Sequence, residues 1–329
     1  MSTSNTSPSA GGPVRIGPVT LPSTARLQEL TLVVVIVALL VVGAILKPDT
    51  FPTIDNFRAI LTQASVVGVL AIGMTFVIAT AGIDLSVGSA VAAAGVAGAL
   101  LVDNGGTPMF LLGALGFGLL IGMVNAGAIA YGKVVPFIAT LAMLAIARGL
   151  ALQMSDKAPI SLLDYEGIRW FGTGKILGQP VSIWVFVLVA VLGWVLLNRT
   201  RYGRHVVAVG GNREAARIAG VPVRRTIFIV YCMSGLLAGL AAILLSGRLA
   251  SASPISGNLL ELDAIGATVI GGTSLAGGKA TIGGTFMGVV VFAMIFNLLT
   301  QLNLATEWQQ IVKGVIILAA VLIQRPERI

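Results

Sequence analysis

The sequence predicts an all-α, polytopic membrane protein with about ten transmembrane helices, some of them broken or interrupted by glycine. Three observations predict it. Of 329 residues, 56% are hydrophobic and only 10% charged, with a mean hydropathy of +0.97, whereas a soluble domain carries roughly a quarter charged residues. Uncharged runs recur along the chain at lengths near the ~20 residues that cross a bilayer. Glycine, at 41 residues, far exceeds its usual share of roughly 7%, which in a membrane protein points to close helix packing and interrupted helices. The composition excludes a disordered chain and a disulfide-stapled fold, since Cys232 is the single cysteine.

The elements follow in order. Met1–Arg26 is rich in Ser, Thr, Pro and Gly, lacks acids and holds Arg15 and Arg26; it reads as a disordered cytoplasmic tail ahead of a membrane domain over 27–329. Leu30–Leu46 is too long for a usual signal core and lacks a convincing cleavage site, so it reads as a retained first span. Uncharged runs follow at Ala59–Ile83, Leu85–Val102, Asn104–Gly132, Ile176–Asn198, Thr226–Gly247, Ala264–Gly278 and Ala280–Thr306. Two more apolar stretches carry isolated charges: Val134–Met154 with Arg148, and Ala305–Gln324 with Glu307 and Lys313. The glycines at 266, 271, 272, 277 and 278 are too many for a stable helix, at about 1 kcal/mol each against alanine. That segment is expected to break, buried against its neighbours.

Orientation comes from lysine and arginine. Between Asn198 and Thr226 lie Arg199, Arg201, Arg204, Arg213, Arg217, Arg224 and Arg225, with Glu214 the only acid. With ten spans this loop and both termini fall on the cytoplasmic side. The opposite side receives Asp49, Asp55, Asp103, Asp156, Asp164 and Glu166. Topology thus accounts for the net charge of +8, and nucleic acid drops out.

No catalytic constellation, cofactor or metal site is legible. His205 is the only histidine, and one His and one Cys cannot build a typical zinc site. The stretch Gly272–Ala280 imitates a phosphate-binding loop, but that motif needs Gly at 273 and Ser or Thr at 280. Thr273 and Ala280 stand there instead, so an ATPase, if one powers transport, is another chain. More informative are the acids set among Gly and Ser. Asp84 and Ser86 separate two apolar runs, and Glu261 and Asp263 do the same in the second half. Charges near the bilayer are costly and usually face an interior. These residues, with Thr268, Thr273 and Ser274, are candidates for lining or gating a polar pathway. For Asp84 the alternative is a cap at a tight turn. Arg148 is expected to snorkel to the interface; Lys313 is open between packing and pathway. In the basic loop, Gly210–Pro222 reads as a short helix capped by Asn212 and ended by Gly220 and Pro222. Two turns are marginal alone in water, so it should rest on something. Asn212, Arg213, Glu214, Ala215, Ala216, Arg217 and Gly220 are its candidate docking residues for a cytosolic partner.

At these residues the sequence resembles the permease subunits of ribose-type sugar ABC importers, a branched-chain-permease-like family. Four blocks carry the resemblance: Gly73–Ser89 (GMTFVIATAGIDLSVGS), Gly210–Gly220 (GGNREAARIAG), Glu261–Lys279 (ELDAIGATVIGGTSLAGGK) and Gln309–Leu318 (QQIVKGVIIL). The resemblance implies two copies of a ten-span subunit around a central pathway in the bacterial inner membrane. It also implies a cytosolic ATP-binding cassette subunit and a periplasmic sugar-binding protein, with Gly210–Gly220 as the ATPase-coupling loop. Members move ribose, xylose, arabinose, galactose and related polyols. A secondary transporter or channel for a small polar solute is the alternative function class.

Overall fold

The computed structural model describes residues 23–323. Every apolar run of the sequence contains a helix, and the order is α1 (Ser23–Leu46), α2 (Ile54–Ala79), α3 (Val87–Leu101), α4 (Gly106–Ala130) and α5 (Pro136–Met154). Then come α6 (Glu166–Thr173), α7 (Val181–Arg199), α8 (Arg201–Gly211), α9 (Arg213–Ile218) and α10 (Val223–Leu249). The chain closes with α11 (Leu260–Ile270), α12 (Ile282–Gln301) and α13 (Thr306–Ile323). Four two-residue strands sit among the loops. Ile160–Ser161 pairs antiparallel with Ser251–Ala252, and Lys175–Ile176 with Gln179–Pro180.

The protein is an all-α polytopic membrane protein. Among the described residues, seven helices (α2, α3 with the short 3-10 turn after it, α4, α5, α7, α10 and α12) are long and apolar enough to cross a bilayer. The expectation of ten is not reached by this measure among the described residues. The apolar part of α1 is only Leu30–Leu46, α11 has 11 residues, and α13 carries Glu307 and Lys313. The tail assignment falls on residues 1–22, outside those described. Residues 23–26, expected in that tail, instead form the first turn of α1; Pro22 precedes a run without helix breakers, so the helix has no reason to start later.

Helix α3 lies deep in the bundle: its Val87–Ala99 are all buried, packed against α4, α5 and α10. Helices α4 and α10 meet through glycine: a Cβ on Gly118 would lie 2.5 Å from the Gly235 carbonyl oxygen, and one on Gly122 as close to that of Tyr231. Close backbone contact of this kind maximises dispersion where lipid removes the hydrophobic drive for helix association. Large apolar side chains face outward on the periphery, among them Val37, Leu112, Ile146, Leu188 and Leu318.

The Gly-rich segment breaks as expected. Helix α11 ends at Ile270, and Gly272, Gly277 and Gly278 take positive φ of 89°, 83° and 72° in the loop that follows. That conformation costs glycine little and other residues much. The loop folds on itself through Ser274 N–H to Lys279 O (3.0 Å) and Gly277 N–H to Ser274 O (2.9 Å).

Candidate functional site

Three sites emerge: a helix pair at the basic end, a buried polar clamp inside the bundle, and a cavity toward the other end.

At the basic end, α8 and α9 form an amphipathic element of two short helices. The sequence revealed only the second. Thr200 Oγ1 caps α8 by accepting the Gly203 N–H (3.2 Å), and Asn212 Oδ1 caps α9 by accepting the Ala215 N–H (2.9 Å). Gly220, at φ 80°, reverses the chain before Pro222. His205 therefore lies on a helix and not in a loop. Ala216 is the one residue of α9 that packs inward, while Ala215 and Ala219 are exposed and Ile218 is 76% exposed. Glu214 and Arg217 pair across one turn, with Arg217 Nε at 3.1 Å and Nη2 at 2.5 Å. This pairing holds the Glu214 carboxyl below the usual carboxylate range, so it stays charged at neutral pH. Because both side chains are largely exposed, the pair adds little stability.

What the α8–α9 element rests on is main chain. Gly210 packs directly against Ala79 at the end of α2 and against Gly278, whose N–H donates to Ala79 O (3.0 Å). Arg213 Nη2 donates to Thr80 O at 3.3 Å. The turn after α2 and the loop after α11 thus converge on the end of α8.

The clamp is built on Asp84, 2% exposed. Its Oδ1 accepts the Ser86 hydroxyl (2.6 Å) and the Ser86 N–H (3.0 Å), and its Oδ2 accepts the Ser234 hydroxyl of α10 (2.7 Å). Asn125 of α4 donates to Ser86 Oγ at 2.8 Å. Three helices are tied to one turn. Ser234 lies eleven residues into α10, about 16 Å along its axis, so the clamp sits roughly halfway across the ~30 Å hydrocarbon core. A charge there is tolerable only with such hydrogen bonds. The geometry of Asp84 includes the turn contact: its Oδ1 joins the Ser86 N–H just ahead of α3.

The other pathway candidates are not brought to one place. Thr268 is fully buried, its hydroxyl donating to Ala264 O (2.7 Å) and Ala71 O (3.2 Å). Thr273 is also fully buried, with Oγ1 accepting the Thr281 N–H (3.4 Å). Ser274 lies in the inner loop, and the Glu261 carboxylate covers Gly88 at the start of α3. Asp263 lines a cavity of about 230 Å³ between α2, α11, α12 and α13. It pairs there with Lys313 (2.6 Å), whose ammonium lies 5.2 Å from the centre of the Phe296 ring.

Arg148 overturns the snorkelling expectation. Its guanidinium donates to Pro254 O (2.5 Å) and Ser256 O (2.9 Å), carbonyls of the non-helical segment between the Ser251–Ala252 strand and α11. Irregular backbone among membrane helices needs donors from the protein, and Arg148 supplies them. Sequence reasoning also missed Asn125 and Ser234. Asn125 carried a usable signal, an amide inside a long apolar run; a lone serine in α10 carried none.

Residues 56–321 match the family described as branched-chain amino acid transport system / permease component. The chain belongs to this family. Among its relatives, the ribose import permease protein of Escherichia coli (strain K12) is 41% identical over 308 residues, covering 92% of this chain and 96% of that protein. The ribose import permease protein of Bacillus subtilis (strain 168) is 42% identical over 290 residues, covering 87% and 89%. The L-arabinose transport system permease protein of Escherichia coli (strain K12) is 36% identical over 302 residues, covering 89% of each. No solved structure matches the chain significantly. The protein is an integral membrane permease component, and all three sites lie within the matched region.

Proposed function

We propose that this permease imports a monosaccharide, ribose or a similar sugar, as the membrane subunit of an ATP-binding cassette importer. The observation that carries the reading is the element α8–α9: a capped, two-turn helix that exposes Ile218 and a charged rim while its base presses on the ends of two membrane segments. A short helix so presented suits docking of a cytosolic ATPase, which would push on α2 and α11 together. The sugar assignment is supported by relatives named for ribose and L-arabinose at 36–42% identity over most of the chain. The full reading has ten crossings, with α1, the half-helix α11 and α13 completing the seven long spans. Both termini lie in the cytoplasm and the chain in a bacterial inner membrane. Two copies surround the pathway, in contact with lipid, and a periplasmic sugar-binding protein delivers the substrate. Asn212, Arg213, Glu214, Ala215, Ala216, Arg217 and Gly220 form the coupling surface. Asp84 and Ser86 fix the turn it moves. Uptake assays with a panel of labelled pentoses and hexoses, in proteoliposomes holding the whole importer, test the substrate class; uptake of an amino acid in place of every sugar would refute it.

A further inference from the structure

We propose that the cavity between α2, α11, α12 and α13 is a low-affinity subsite for a neutral, polyhydroxylated molecule of monosaccharide size. The inference rests on the sugar-importer reading and deepens it, by placing a station for the substrate inside the permease. Four observations carry it.

The first is size. At about 230 Å³ the cavity holds the space of seven or eight waters, at ~30 Å³ each. It is smaller than the ~300–1,000 Å³ of pockets for drug-sized ligands. A single sugar ring fits; a disaccharide does not.

The second is polar chemistry. Gln63, Asn258 and Gln309 line the cavity beside Asp263 and Lys313. Gln309 commits its amide nitrogen to Leu304 O (2.9 Å), which leaves its carbonyl oxygen to accept. Gln63 stands nine residues into the apolar helix α2, about 13 Å from its start. An amide at that depth is costly in lipid and belongs where it meets water or a polar ligand. Lys313 keeps donors, and Asp263 acceptor positions, beyond those they use on each other. Adjacent hydroxyls, each both donor and acceptor, match such a set.

The third is charge. Asp263 and Lys313 neutralise one another at 2.6 Å, so an ionic ligand would have to break a half-buried pair to gain a partner. A neutral ligand need not. Half of the lining is apolar, including Val67, Val289, Phe292 and Phe296, and the Phe296 ring already carries the lysine ammonium at 5.2 Å, which limits its room for ring stacking. The affinity is accordingly weak.

The fourth is position. Gln63 precedes Ala79 by sixteen residues, about 24 Å of helix, and Ala79 touches the α8–α9 element. The cavity therefore lies toward the end opposite the basic loop, where a delivered substrate would enter.

The test uses the complete importer in lipid nanodiscs, with saturation-transfer NMR on ribose, xylose and arabinose and with gluconate as the charged control. Wild type should show millimolar binding of at least one sugar and none of gluconate. Gln63→Trp, which fills the cavity, should abolish the signal and slow sugar uptake in proteoliposomes while ATPase stimulation persists. Gln63→Leu keeps the volume and removes the amide, and should weaken binding about fivefold, the loss of one hydrogen bond. Wild type that transports a sugar yet shows no sugar signal overturns the subsite and leaves the importer reading standing. Gln63→Trp that transports as wild type does the same, and gluconate binding equal to the sugars overturns the neutral-ligand assignment. If the wild-type importer moves no sugar at all, both readings fall.

Discussion

Gly210→Ala, compared with Gly211→Ala next to it, isolates the junction under the coupling element. Both glycines belong to α8, and neither needs a positive φ. A Cβ at 211 meets nothing within 4 Å. At 210 it would collide with Ala79 O, with the Gly278 nitrogen at 2.6 Å and with the Ala79 carbonyl carbon at 2.8 Å. Those atoms are main chain and cannot rotate away, so α8 must lift off both turns. Overpacking of this kind costs about 1–3 kcal/mol. Each substitution also gains up to ~1 kcal/mol of helix propensity, and that gain is common to both. The two variants should therefore differ by about 1–3 kcal/mol, roughly 5- to 150-fold in the equilibrium that seats α8. In proteoliposomes containing the ATPase, Gly211→Ala should transport as wild type. Gly210→Ala should insert normally yet lose most transport, with ATP hydrolysis no longer tied to uptake. Equal transport and equal detergent stability for the two variants would refute the junction.

Four further outcomes follow from the same geometry. Glu214→Lys, or Ala216→Trp at the one inward-packed position of α9, should uncouple ATP hydrolysis from uptake without affecting membrane insertion; wild-type ATPase stimulation and uptake in both would count against the coupling surface. Ser234→Ala should destabilise the fold by about 1–3 kcal/mol by leaving Asp84 one donor short. Tyr231→Phe should be near neutral, because that buried hydroxyl has no hydrogen-bond partner among the described residues; reversible unfolding in mixed micelles should separate the two variants, and a Tyr231 effect as large as that of Ser234 would contradict the clamp. Arg148→Met should expose residues 253–259 to hydrogen exchange, since Pro254 and Ser256 lose their donor; unchanged protection would refute that role. The isolated permease should show no micromolar sugar binding by calorimetry, because tight recognition belongs to the soluble binding protein; a micromolar constant would overturn that division of labour.

Much of the fold was legible because lipid imposes a length rule on apolar runs, and each run named in the sequence contains a helix. Crossing number was harder, since α11 is a half-helix and α13 carries Lys313, whose partner Asp263 lies on α11. The break after Ile270 could be read from glycine count, and the ends of α9 from Asn212, Gly220 and Pro222. Helix α8 escaped because its arginines marked it as a loop, although Thr200 and the buried Val206 and Val209 carry a cap and an apolar face. The pathway candidates were the least legible. Chemistry singled out Asp84, Thr268 and Thr273, but whether a polar group faces a cavity or closes a turn depends on partners distant in sequence, here Ser234 and Ala71. Arg148 failed for the same reason: its acceptors lie more than a hundred residues away.

The most direct test of the account is sugar uptake into proteoliposomes with the permease alone and with its ATPase and loaded binding protein, in each case with ATP or with an imposed ion gradient. The account predicts uptake only when all three components and ATP are present. Uptake by the permease alone, driven by a proton or sodium gradient and indifferent to ATP, would contradict it.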